Sequence, residues 1–409
     1  MRHWWDRVTT DAALADIANW VTAAGLAGKG EAVLLEGFCR RVLAAGVPMA
    51  RAAVIVDTLH PIHEGRAFRW NRDTAEGAET IEYGPTNEGE AAANWQASAF
   101  YRLLQTGGSL LRVPLGPGHA EFPNVASLAA EGMTEYLALI NRFAEEGAIG
   151  EMDCVYSYWV TDRPGGFAAE HVTAVKGLMP ALGLAVKAAS LTRIAETLVE
   201  TYLGRDPGRR VLGGGIGRGA AERISAVLWF SDLRGFTRIT DTNPPESIIT
   251  LLDDYAEAVI RSIHEEGGDV LKLIGDGTLA IFPYDEPGPA CARAIAAENA
   301  LRQRLAKLND RRGGMGLPTT DVYIGLHLGE VFYGNIGSHD RLDFTVIGPA
   351  VNEAARIAEM CRSADRNVLM SAAFTAAFGG DGVVSVGRYA LRGVERPQEL
   401  FTLDRQAPA

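Results

Sequence analysis

Residues 226–241, AVLWFSDLRGFTRITD, constrain the fold more than any other stretch. The apolar run reads as a buried strand. It stops at Ser231 and Asp232, and the chain turns through Gly235 into a helix start. Ser and Asp are common helix caps, so this alone would be ordinary. A second segment, GGDVLKLIGDGTLAIFPY (267–284), reads as two strands joined by a Gly-Asp-Gly turn with Asp276 at its tip. Two carboxylates presented from neighbouring strand ends can bind two divalent ions roughly 3.5–4 Å apart, which activate an attacking oxygen and stabilise a leaving one. Magnesium suits this design, because it takes few protein carboxylates alongside substrate phosphates.

The rest of the chain limits the partners. Its 409 residues suffice for two or three domains. A net charge of −12 argues against nonspecific nucleic-acid binding and against a basic membrane patch. Cys39, Cys154, Cys291 and Cys361 form no CxxC pair, which favours reduced buried thiols over a zinc site or a disulfide framework. The N-terminus lacks the apolar core of a signal peptide. No run approaches the ~18–20 apolar residues of a membrane span. The expectation is a cytoplasmic protein with no membrane span and no nucleic-acid partner.

Six of the seven tryptophans precede residue 160, so the two halves differ in kind. Residues 1–29 read as a helical lead-in. Residues 31–48 read as a helix, 50–59 and 67–73 as paired strands, and 74–94 as a polar loop. Residues 94–107 read as a helix, 109–115 as a strand, 127–147 as a helix, and 152–167 as a strand closing in a Pro-Gly-Gly turn. This order, with TDRPGGF leading to a helix, resembles a GAF-type sensor domain, assigned to residues 30–183. The resemblance implies a small-molecule ligand or a dimerisation scaffold. Trp70, Trp95, Tyr158 and Trp159 would line a pocket or pack the core. His60, His63, His119 and His171 match no metal-ligand spacing.

Residues 184–221 read as a connector. Leu184, Ala188, Leu191, Ala195, Leu198 and Tyr202 follow a 4-3-4-3-4 spacing, the seam of a two-stranded coiled coil or of a helix packed on its own domain. The glycines of RVLGGGIGRGAAERI (210–224) lack a GK[ST] signature, so a flexible linker is expected there rather than a phosphate loop.

The C-terminal half carries four ordered motifs: FSDLRGFT, KLIGDG, GLHLGEVFYGNIG and DFTVIGPAVNEAAR. Together they resemble the catalytic domain of class III nucleotidyl cyclases, over residues 222–404. The resemblance implies an α+β chain overall, with a ferredoxin-like palm that dimerises to complete its sites. It implies that Asp232, Asp276 and the backbone of Leu233 hold two Mg2+ or Mn2+ ions per site. It implies that Gly235, Phe236 and Thr237 cradle phosphates, using free amides at a helix start. Lys272 matches the lysine that reads the purine. Asn352 and Arg356, at i and i+4 on one helix face, match the pair that orients the ribose and stabilises transition-state charge. Arg366 matches a further phosphate-binding arginine.

Two positions depart from the animal pattern. The second purine-reading position is Thr345 rather than Asp, and Lys with Thr resembles the class IIIb adenylate cyclases. Asp343 lies two strand residues away, an offset of ~6.6 Å, and is not expected to substitute. In the closing hairpin (388–403) Arg392 or Arg396 would stand in for a lysine. The expected activity is conversion of ATP to cyclic AMP and pyrophosphate in a homodimer. The metal aspartates would come from one protomer, and Lys272, Thr345, Asn352 and Arg356 from the other. A guanylate cyclase and a non-catalytic nucleotide-binding module are the alternatives.

Overall fold

The structure, a computed structural model, describes residues 10–116, 121–143, 149–150, 152–394 and 397–404. Arg396 and His119 therefore lie outside the described residues. The chain divides into two compact units that meet in sequence at Leu198 and Val199.

The first unit contains α1 (Asp11–Leu26), α2 (Glu31–Ala44), β1 (Arg51–Asp57), β2 (Gly65–Asn71), β3 (Glu79–Tyr83), α3 (Gly89–Gln96) and α4 (Ala99–Thr106). It continues through β4 (Leu110–Pro114), α5 (Ala126–Ala130), β5 (Glu135–Arg142), β6 (Cys154–Thr161) and most of α6 (Ala169–Leu203). Six antiparallel strands run in the order β3-β2-β1-β6-β5-β4. Phe38 of α2 and Leu178 of α6 pack with Val54, Trp70 and Trp159 on one face. Phe100 and Leu103 of α4 pack with Tyr136 and Tyr156 on the other.

Two expectations fail here, each for a physical reason. Residues 127–147 are not one helix: α5 ends at Ala130, Gly132 turns at φ +85°, and β5 follows. Residues 135–140 are all buried, because β5 is covered on both faces, and such a strand lacks the alternation that identifies one. The loop expected over 74–94 contains β3, an edge strand, and the start of α3. Its alternating Glu and Thr leave β3 without an apolar signature, as suits an exposed edge.

Along α6, Leu184 is 68% and Tyr202 81% exposed, whereas Leu191 and Leu198 pack against the core of the first unit. The proposed seam is thus divided between solvent and that core. Among the described residues, α6 is the helix long and apolar enough to span a membrane by length and composition, and half of its most apolar window is buried within the protein.

The second unit contains α7 (Arg205–Leu212), β7 (Ala221–Leu233), α8 (Phe236–Thr242), α9 (Pro245–Glu265), β8 (Asp269–Ile274), β9 (Gly277–Pro283), α10 (Pro287–Gly314) and β10 (Val322–Gly337). It ends with β11 (Leu342–Ile347), α11 (Pro349–Ala364), β12 (Val368–Ser371), α12 (Ala372–Phe378), β13 (Val383–Tyr389) and β14 (Gln398–Leu403). The segment expected to be a free linker is partly structured: Asn335 donates to the Gly215 carbonyl, and Gly219 N–H to the Asn335 carbonyl.

The sheet runs β13-β14-β12-β10-β7-β9-β8, with β11 paired to β10. Strand β7 is central because VLWF is apolar on both faces. Val227 and Trp229 meet Tyr255 and Val259 of α9 and Cys291 and Ile295 of α10. Ala226 and Leu228 point to the opposite face, toward Ala350 and Ala354 of α11. Burying a large side chain such as Trp229 stabilises by roughly 1.5–3 kcal/mol. Gly325 lets α11 lie on β10: a Cβ there would sit 2.5 Å from the Ala354 carbonyl oxygen.

Candidate active site

Strand β7 delivers Asp232 at its end, on the sheet face of Tyr323 and α11, where Tyr323 is its register partner on β10. The β8–β9 hairpin delivers Asp276 beside it, because β9 pairs directly with β7 through Ser231 and Thr278. The two carboxyls come within hydrogen-bonding reach. Asp232 keeps an exposed edge, but partial desolvation, and then the Asp276 carboxyl, hold its pKa well above the usual carboxylate range. The Leu233 N–H and the Arg362 guanidinium oppose that shift. Two juxtaposed carboxylates form a site whose natural counterpart is a cation. Hard oxygen donors from Asp232, Asp276 and the Leu233 carbonyl fit Mg2+ or Mn2+.

Gly235 adopts φ +71° and ψ 24°, a left-handed turn that lets the chain reverse from β7 into α8. The first-turn amides of Phe236 and Thr237 follow, without intrahelical acceptors. A cavity of about 190 Å³ adjoins the carboxylate pair on the α9 side, lined by Asp276 with Leu233, Leu252, Tyr255 and Val259.

The other expected residues lie on different elements. Lys272 sits on β8 at a register shift in its pairing with β9. Thr345 is buried on β11 opposite Gly334. Lys272 donates to the carboxylate of Asp343, also on β11. Asp343 thus serves as a partner of Lys272, a role distinct from substituting for a carboxylate at the Thr345 position. The offset along β11 separates it from Thr345, but the long lysine reaches it from another strand. Its signal in the sequence was a carboxylate at i−2 on the strand face of Thr345.

Asn352 and Arg356 lie on α11. Asn352 is exposed, and Arg356 donates to Glu359 at 2.6 Å. Arg366 is exposed, and its guanidinium donates to the Asp365 carbonyl at 2.8 Å. Among the described residues, no hydrogen bond or ion pair joins the α11 pair to Asp232 or Asp276. Sequence reasoning also missed Arg362, whose charge reaches Asp232 from the last turn of α11.

Residues 220–404 match the family described as the adenylate and guanylate cyclase catalytic domain. That segment is a class III nucleotidyl cyclase domain. The cyclase domain is 38% identical over 157 residues to an adenylate cyclase of Anabaena cylindrica, covering 37% of this chain and 30% of that protein. It is 35% identical over 187 residues to an uncharacterised protein of Mycobacterium tuberculosis, covering 44% and 33%. The chain thus spans about a third of the length of these curated relatives. Among solved structures, it is similar to the adenylyl cyclase CyaB from P. aeruginosa, with 25% identity, a TM-score of 0.42, and coverage of 45% of this chain and 95% of that one. It is also similar to the guanylyl cyclase Cya2, with 29% identity, a TM-score of 0.40, and coverage of 45% and 93%.

Proposed function

We propose that the protein is an adenylate cyclase that acts as a homodimer, converts ATP to 3′,5′-cyclic AMP and pyrophosphate, works in the cytoplasm, and is regulated by its first unit. The observation that carries a cyclase reading is the pairing of Asp232 with Asp276 at neighbouring strand ends. The choice of ATP rests on Lys272 and Thr345, a donor and a hydroxyl that suit the edge of adenine.

Magnesium or manganese ions bound at Asp232, Asp276 and the Leu233 carbonyl would supply Lewis-acid activation and charge neutralisation. The residues of the chain do the rest. The amides at Gly235, Phe236 and Thr237 bind phosphate oxygens, with Arg366 as a further cation. Asn352 orients the ribose. The 3′-oxygen forms a bond to the α-phosphorus as the bond to the α,β-bridging oxygen breaks. The hydroxyl proton passes to solvent and pyrophosphate leaves. Arg356 stabilises the charge that gathers around the α-phosphorus, having exchanged Glu359 for substrate. Catalysis is mainly positioning and electrostatics.

A shared site is supported by Arg356 being engaged by Glu359 rather than by either carboxylate of the pair. It is also supported by Phe332 and Ile347, register partners that are 50% and 48% exposed on the sheet face of Thr345. The test is an assay of the purified full chain with ATP or GTP, each with magnesium and manganese, and chromatography of the cyclic products. Cyclic AMP that disappears in Asp276→Ala supports the reading. Cyclic GMP as the main product would replace it with a guanylate cyclase, and no product from either would leave a nucleotide-binding module.

A further inference from the structure

The first unit contains an open cavity of about 1770 Å³ on the sheet face opposite α2 and α6. Its floor is aromatic: Tyr136 stacks on Tyr158 at 5.1 Å, and Trp95 meets Tyr156 edge-on at 5.5 Å. Packed cores do not usually leave such surface uncovered. Tyr136 is only 4% exposed, and it lines the cavity together with Tyr156 and Tyr158.

Charge is distributed unevenly around this floor. Asp57 and Asp153 both act on the Tyr156 hydroxyl at one end, and Asp57 also accepts from Tyr83 at 3.0 Å. Arg69 lies by Tyr158 at the other. Glu64, also on the wall, is already engaged by the Thr86 N–H and hydroxyl. Aromatic faces next to carboxylates attract organic cations, the faces through their quadrupoles and the carboxylates directly.

We infer that this cavity binds a small organic cation with an aromatic or heteroaromatic body, its charged group between Asp57 and Asp153 and its ring on the Tyr136, Tyr156 and Trp95 surfaces. The site is separate from the cyclase chemistry, and binding is measurable whether or not the chain makes cyclic AMP.

The experiment is calorimetric titration of the full chain with three matched indoles: tryptamine, which is cationic, tryptophol, which is neutral, and indole-3-acetate, which is anionic. Tryptamine should bind at least about tenfold more tightly than tryptophol, with indole-3-acetate weakest. Asp57→Asn should remove most of that preference, and Tyr136→Phe should weaken tryptamine several-fold. Should Asp57→Asn fail to fold, Asp153→Asn at an exposed position carries the same test. Equal binding of all three, tighter binding of indole-3-acetate, no binding at millimolar concentration, or a preference that survives both Asp substitutions would each overturn the inference.

Discussion

The ammonium of Lys272 on β8 is held by the carboxylate of Asp343 on β11, although 71 residues separate them in sequence. The lysine expected to read the purine is thus fixed from a neighbouring strand, with two of its three N–H donors left over. Asp343→Asn removes a charge-assisted bond and leaves the lysine free to sample other rotamers. The KM for ATP should rise about tenfold, equivalent to about 1.4 kcal/mol, with a smaller change in kcat and a weaker preference for ATP over GTP. Unchanged KM and base preference would remove Asp343 from the site.

The proposed sharing of the site between protomers has a direct consequence. Asp232→Ala and Arg356→Ala chains should each be inactive as homodimers. Mixed heterodimers should recover roughly one site in two, measured as cyclic product per purified heterodimer. No recovery in verified heterodimers would mean that each chain builds its own site.

The carboxylate pair should cost stability while serving chemistry. Asp276→Asn relieves the repulsion at Asp232, so melting in chelator should rise by a few degrees, about 1 kcal/mol in a unit of this size. Turnover in the same variant should fall at least about a hundredfold. A lower melting temperature would show that Asp276 acts as a structural acceptor instead.

Two buried histidines and a half-buried one predict a pH dependence. His171, His264 and His327 are each held below the ordinary 6.5, chiefly by burial. The unfolded chain then binds protons that the folded chain refuses. Their neutral native state is fully favoured above pH 6.5, and stability is lost as pH falls below it. His171 accepts the Ala168 N–H near the start of α6, and an amide can keep that role without titrating. His171→Asn should therefore flatten the fall in melting temperature between pH 7 and pH 5.5. An unaltered slope would assign the loss to other groups.

Gly325 tests the seating of α11. Its missing side chain leaves room for the Ala354 carbonyl and the Ala358 amide, each 2.5 Å from where a Cβ would lie. Gly325→Ala should destabilise by about 1–3 kcal/mol. By displacing Asn352 and Arg356 it should lower kcat more than it raises KM. Wild-type melting and turnover would show that α11 tolerates the shift.

The sequence alone determined the elements of the catalytic half. An apolar strand must stop where a carboxylate begins, Gly-Asp-Gly makes a tight turn, and i, i+4 spacing places Asn352 and Arg356 on one helix face. These are local rules, legible within a dozen residues. The tertiary structure decided what depends on burial by distant chain. Strand β5 reads as a helix until sheet cover on both faces explains its unbroken apolar run. The proximity of Asp232 and Asp276 depends on β9 pairing with β7, and the hold of Asp343 on Lys272 depends on β11 reaching β8. The cavity in the first unit joins side chains from residue 55 to residue 158, which no single stretch brings together. Periodicity reports the face of one element, whereas contact between elements depends on which faces the whole chain can bury at once.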